Sequence, residues 1–160
     1  MRNPLEKMKI RPRQFGANAP LTNTFVTVRG NNTQAHQGWD LEANPGTVVY
    51  AIADGVTKAG ISSTYGNWLS LKFSHKGKTY YAFYAHLSGY LTVRQNQPVR
   101  EGEKIAWTGR SGNAQTLRMS ESHLHFEIRA GEFPYEPGSQ LAGRIDPGEI
   151  LGYSVYSSLP

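Results

Sequence analysis

Cysteine is absent from the 160-residue chain, which excludes a disulfide framework, a thiol nucleophile and any cysteine-ligated zinc or iron–sulfur site. Long apolar runs are missing too. None approaches the ~20 residues that a membrane-spanning helix needs, so membrane insertion is not expected. The basic opening, with Arg2, Lys7, Lys9, Arg11 and Arg13, is not backed by an apolar segment, so no secretory signal is read there. Acidic residues are few, 12 against 17 lysines and arginines, giving a formal charge of +5. That balance favours a polyanionic neighbour such as nucleic acid, an anionic membrane or a cell-wall polymer. No base-stacking motif or nucleic-acid-binding fold accompanies the charge, which counts against nucleic acid. With 38% hydrophobic and 11% aromatic residues the chain can bury a core, and its length suits one domain.

Seventeen glycines and nine prolines punctuate short apolar stretches, and no segment sustains a helical period. Residues 24–29, 47–52, 103–107 and 124–129 read as strands. Residues 67–74 alternate with period two, placing Leu69, Leu71 and Phe73 on one face. Lys76-Gly77 then turns the chain into residues 78–86, where parity puts Tyr80, Tyr84 and His86 on one face and Tyr81 and Phe83 on the other. Many short strands at close spacing predict an all-β, antiparallel domain, with one helical turn near residues 147–151. The expected organisation is an N-terminal strap or edge segment over 1–23 and the main domain over 24–160. The alternation of Lys7, Met8, Lys9, Ile10 and Arg11 suits an edge strand whose basic residues form a solvated face.

Of five histidines, His75 sits among lysines in a turn and reads as surface. His123-Leu-His125 is different, because side chains at i and i+2 of a strand share a face about 7 Å apart. Leu124 and Phe126 then point to the core, and two imidazoles on the other face suggest metal binding or catalysis. His36 and Asp40 lie four residues apart, ~13 Å in an extended chain. Gly38 between them permits the bend that brings them together. Histidine and carboxylate suit zinc, and either imidazole of the His-x-His pair would complete three protein ligands. Three ligands with an open fourth position mark a catalytic rather than a structural zinc site. No His-Glu-x-x-His helix supplies a glutamate base, so unligated histidines are candidates for moving the proton. A histidine base of ordinary pKa predicts a rate that falls below about pH 6.5. Tyr65, Tyr80 and Tyr84 are candidates for meeting a polar peptide with their hydroxyls.

Taken together, His36-x-x-x-Asp40, Tyr84-Ala-His86-Leu87 and His123-Leu-His125-Phe-Glu127 resemble the M23 family of zinc metallopeptidases, the lysostaphin-like enzymes that cut peptide bonds in bacterial peptidoglycan. Residues 45–56, the loop Tyr65-Gly-Asn67, residues 99–109 and Asp146-Pro147 resemble further family segments in the same order. The resemblance implies a lysostaphin-like fold with a groove across the sheet. It assigns one zinc to His36, Asp40 and His125, and leaves His86 and His123 as the unligated catalytic pair. It implies peptidoglycan peptides as substrate and hydrolysis by a zinc-activated water. Glu127, on the face of His125, becomes a candidate for orienting that imidazole. Arg29 or Asn32 stands where relatives contact the scissile carbonyl, and Asn67 belongs to the family's loop.

One departure concerns the groove. Where the family commonly has Thr-Gly-x before the His-x-His pair, this chain has Ser120-Glu-Ser122, after a long polar stretch over 110–122. That stretch is expected to border the groove and to bear on substrate preference. The competing readings are a wall amidase and a non-catalytic regulator of another wall hydrolase. The expected place of action is the periplasm or cell wall. Without a visible export signal, the routes considered are a longer exported protein, a phage, or a secretion system delivering a toxin. The last implies a cognate inhibitor or immunity protein as partner.

Overall fold

The computed structural model describes residues 1–11, 23–25, 28–29, 34–90, 95–132 and 141–154. Two short strands, β1 (Val28–Arg29) and β2 (Gln34–Ala35), pair with each other. The main sheet is built from β3 (Trp39–Glu42), β4 (Val48–Tyr50), β5 (Gly55–Ser62), β6 (Gly66–His75), β7 (Lys78–Tyr90), β8 (Gln97–Val99), β9 (Lys104–Thr108), β10 (His123–Arg129) and β11 (Arg144–Ile145). Its spine runs β11-β10-β7-β6-β5-β8, with β3 on β10 and the β4–β9 pair joined through β7. Every pairing is antiparallel. One helical turn, α1 (Pro147–Leu151), follows Asp146, whose carboxylate accepts from the Gly148 amide and caps it. The architecture is all-β and antiparallel, as the strand pattern implies.

Alternation sorts the central strands into a core face and a site face. Leu124, Phe126 and Ile128 of β10 are fully buried against Trp39 and Leu41 of β3 and Leu69 and Leu71 of β6. Each such side chain contributes roughly 1.5–3 kcal/mol. The other face of β10 carries His123, His125, Glu127 and Arg129, which are buried as well. That face is covered rather than solvated, which is why all seven residues of the strand are inside. In β3 the same alternation turns Trp39 and Leu41 inward and Asp40 to the site.

Two expectations need correction. Tyr84 does not share a face with His86. Its ring is fully buried against Phe126, and its hydroxyl accepts from the Ile52 amide. The strand irregularity opposite Asn67–Leu69 and the left-handed backbone of His86, with φ near 60°, reverse the parity between the two residues. Arg11, read as part of a solvated face, is 6% exposed. Ile10 bridges Leu41, and the Arg11 and Glu42 amides donate to the carbonyls of Asp40 and Lys9. Residues 9–11 thus line β3, and a side chain opposite Ile10 faces the site rather than water.

The chain does bend at Gly38 between His36 and Asp40, and close approach to β10 is what requires a glycine there. A Cβ there would overlap the Phe126 carbonyl oxygen and crowd the Glu127 side chain. Its φ is not positive. The segment from His36 to Asp40 is therefore pressed onto the backbone of β10. Gly38→Ala should destabilise the protein by about 1–3 kcal/mol, read as a lower urea midpoint at unchanged slope. Gly131→Ala, with no atom near the added Cβ, should stay within about 0.5 kcal/mol of wild type.

Candidate metal centre

Asp40 and His125 are direct cross-strand partners of β3 and β10. His36 reaches them from just ahead of β3. Asp40 Oδ1 lies 2.8 Å from His125 Nδ1 and 3.0 Å from His36 Nε2, and the two nitrogens are 3.3 Å apart. The three ligand atoms form a metal-capable group of buried residues.

Tautomers follow from the partners on the far side of each ring. His36 Nδ1 donates to the Thr24 carbonyl at 2.9 Å, and His125 Nε2 donates to the Glu127 carboxylate at 2.8 Å. A carbonyl and a carboxylate only accept, so those nitrogens carry the protons. His36 Nε2, His125 Nδ1 and Asp40 Oδ1 therefore present three converging lone pairs. Such a set requires a proton or a cation at its centre. Tetrahedral zinc with bonds of ~2.0–2.1 Å needs donor separations of about 3.3 Å, close to the distances found. The donor set and its spacing fit zinc.

His86 and His123 stand beside this group, with ring centroids 5.0 Å apart. His86 Nδ1 donates to the Ser111 carbonyl and His123 Nδ1 to the Glu121 carbonyl, each at 2.9 Å. Both Nε2 atoms are thus bare, and both rings line a cavity of about 540 Å³. Burial, followed by the neighbouring imidazoles, lowers His86 to about 3. Burial likewise lowers His123 to about 4 against the pull of Asp40. His125 differs: burial lowers it, but the hydrogen bonds it donates to Asp40 and Glu127 and their charges outweigh that and raise it to about 9. Burial would raise Asp40, yet the charges of His36 and His123 and the imidazole hydrogen bonds hold it well below the usual carboxylate range.

Glu127 is the hub behind His125. Its Oε2 accepts from Arg129 Nε at 2.6 Å and Arg144 Nε at 3.0 Å. The Tyr65 hydroxyl is 3.1 Å from Glu127 Oε1 and 2.8 Å from Gln37 Oε1. Burial and the charge of Glu127 raise Tyr65 to about 12, so it stays protonated. Tyr65 lines the cavity with its ring while its hydroxyl serves this network. Asn67 is not in the cavity lining; its amide donates to the Leu87 carbonyl. Tyr84 lies in the core. The side chain of Arg29, and Asn32 altogether, lie outside the described residues. The long polar stretch does border the cavity, through Asn113, Thr116 and Leu117.

Several contributors escaped the sequence reading. Arg11 Nη2 is 3.4 Å from Asp40 Oδ2, and parity with the inward Ile10 was the available signal. Arg144 gave none. The carbonyls of Thr24, Ser111 and Glu121 are backbone groups to which residue type is blind.

Comparison with known proteins agrees with this geometry. The model of peptidase family M23 matches residues 34–137. The DD-carboxypeptidase/endopeptidase Mpg of Neisseria meningitidis serogroup B is 38% identical over 105 residues, 65% of this chain and 22% of that one. The murein hydrolase activator NlpD of Escherichia coli is 33% identical over 112 residues, 69% and 27% of the two chains. The chain thus spans about a quarter of the length of such curated relatives. Among solved structures, the catalytic domain of lysostaphin from Staphylococcus simulans aligns with a TM-score of 0.63 at 30% identity, covering 81% of this chain and 89% of that one. A zinc-containing peptidase from Vibrio cholerae aligns at 0.54 and 28% identity, covering 77% and 37%. The family match takes in nearly two thirds of the chain, in the same fold, and the chain belongs to peptidase family M23.

Proposed function

We propose that this protein hydrolyses peptide bonds in bacterial peptidoglycan, as a zinc-dependent endopeptidase acting in the periplasm or cell wall. The observation that carries the reading is the set of four buried imidazoles around Asp40. Each has its outer nitrogen committed to an acceptor, so four bare nitrogens face inward. His36, Asp40 and His125 would hold the zinc. When bound, zinc supplies Lewis acidity, easing deprotonation of water and polarising the scissile carbonyl. The chain's own residues do the rest. A neutral imidazole at His86 or His123 accepts the proton of the attacking water, and that same proton, kept there or passed to the neighbouring ring 5.0 Å away, goes to the leaving amine as the peptide C–N bond breaks. Their low pKa values keep both neutral far below pH 6.5, so acid loss of a histidine base is displaced to lower pH than an unperturbed imidazole would give.

Glu127 keeps His125 in the tautomer that turns Nδ1 toward Asp40, a support of the kind that typically changes metal affinity 10- to 100-fold. The cavity wall of Asn113, Thr116 and Leu117 would meet substrate on one side and Thr64 and Tyr65 on the other. The net positive charge suits an anionic wall. We take residue 24 as the start of the catalytic domain, with the preceding segment as its strap. A regulator without catalysis is the competing reading, since a relative is named a murein hydrolase activator. A complete set of ligands and bases favours hydrolysis over it.

Peptidoglycan incubated with the protein should lose cross-linked dimers and gain free amino termini by mass spectrometry. Intact peptides freed from glycan would instead identify an amidase. His125→Ala should lose bound zinc and activity together. His86→Ala should keep zinc while turnover falls by about 10²–10⁴; zinc bound with no turnover in wild type would favour the regulator.

The two depressed histidines also predict the acid behaviour of the metal-free protein. Their folded pKa values lie below the unfolded value of about 6.5, so the unfolded chain binds more protons. Stability from this source is full above pH 6.5 and falls as pH drops toward about 4 and 3. His125 acts in the opposite sense, losing its contribution as pH rises toward about 9. Between pH 6.5 and 4.5 urea unfolding without metal should show a loss on the order of 2 kcal/mol per depressed histidine. His86→Gln should make that slope shallower.

A further inference from the structure

We infer that Arg11 positions Asp40 for the metal, an inference that rests on the zinc reading above. The two oxygens of Asp40 are used differently. Oδ1 faces His36 Nε2 and His125 Nδ1, while Oδ2 faces Arg11 Nη2 at 3.4 Å. A carboxylate can offer a metal either oxygen or both. A guanidinium on one oxygen makes the other the donor and fixes the rotation of the carboxylate plane.

Arg11 is itself held in place. Its buried guanidinium donates to Asn23 Oδ1 at 2.9 Å, and Asn23 Nδ2 donates back to the Arg11 carbonyl at 2.6 Å. The Arg11 amide donates to the Asp40 carbonyl at 2.8 Å, so the backbones of the arginine and the aspartate are tied directly. On its far side Nη1 lies 3.8 Å from Glu121 Oε1, in the turn whose carbonyl accepts from His123. One cation thus stands between the carboxylate of a ligand and the loop that orients a catalytic candidate. Planar, multidentate and always charged, arginine can serve Asn23, Asp40 and Glu121 at once, which lysine cannot. Arg11 precedes the residues that the family model matches.

Zinc affinity of the metal-free protein, measured by competition with a chromophoric chelator, tests this without reference to activity. Arg11→Gln should bind zinc about 10- to 100-fold more weakly than wild type. Arg11→Lys, which keeps the charge without the fork, should fall between the two. Leu5→Ala loosens the same segment through the core and should retain wild-type affinity, measured well below its unfolding temperature. Equal affinity of wild type and Arg11→Gln overturns the inference and leaves the zinc reading standing. An equal loss in Leu5→Ala and Arg11→Gln overturns it as well, assigning the effect to segment packing. A wild-type protein that takes up no zinc overturns the zinc reading and the inference with it.

Discussion

Asp40 is 1% exposed, and the negative charge it keeps there is the constraint around which the neighbouring residues are organised. An ion held out of water costs several kcal/mol unless its lone pairs are met. Here one oxygen is met by Arg11 and the other by two imidazole nitrogens with no proton of their own to give. The arrangement is satisfied by an added positive charge and by little else. That explains the opposite behaviour of neighbouring histidines. His125, between two carboxylates, favours a proton, whereas His86 and His123, buried among imidazoles, reject one. A single buried anion divides the imidazoles into those that turn a lone pair toward it and those that burial keeps neutral.

The fold reaches this arrangement by ordinary strand alternation. Antiparallel pairing of β3 with β10 sets Asp40 opposite His125 and, on the reverse face, Trp39 opposite Phe126 and Leu41 opposite Leu124. The apolar pairs fix the register that the polar pair needs, because a one-residue slip would carry Asp40 into the core. His86 is the exception to regular alternation. Its left-handed backbone turns the ring to the cavity, and the Ser111 loop holds it there. The Ser111 hydroxyl accepts from the Asn67 amide and donates to the Leu87 carbonyl, tying that loop to β6 and β7. Gly66 and Gly112 meet backbone to backbone beside it, where neither could carry a side chain.

What the sequence disclosed divides along physical lines. Period-two patterning exposed β6 and β10, and hence the shared face of His123 and His125, because alternation needs only residue type. The proximity of His36 and Asp40 was legible through the bend at Gly38, although the close approach to β10 that requires a glycine there was not. Tyr84 was misplaced because parity was carried through a backbone irregularity that residue type does not reveal. Arg11 was misread because a face opposite the core was taken for a wet one. Asn67 joins a loop that resembles the family's, yet its amide supports the loop instead of entering the cavity. Of the acceptors that set the histidine tautomers, Glu127 was legible on the face of His125, whereas the three main-chain carbonyls, brought near by tertiary structure, were not.

The same division separates the part of the cavity that chemistry fixes from the part that substrate choice can vary. Around Asp40, each imidazole is braced by a hydrogen bond on its outer edge, and a change in ring position would leave a buried donor unmet. Such a site tolerates little variation in its geometry. The outer wall is built otherwise. Asn113 and Thr116 are exposed and lie on a short 3-10 turn, Gly112–Thr116, anchored at its start by Ser111, and the half-buried Leu117 follows it directly. Side chains there can change without disturbing a buried polar network, because their own contacts are largely with solvent. The cavity is therefore physically free to vary at residues 113–117 and at the facing Thr64, while its buried polar network is fixed by the packing of β3, β7 and β10. The polar stretch over 110–122 supplies this outer wall through Asn113, Thr116 and Leu117 and leaves the buried network around Asp40 intact.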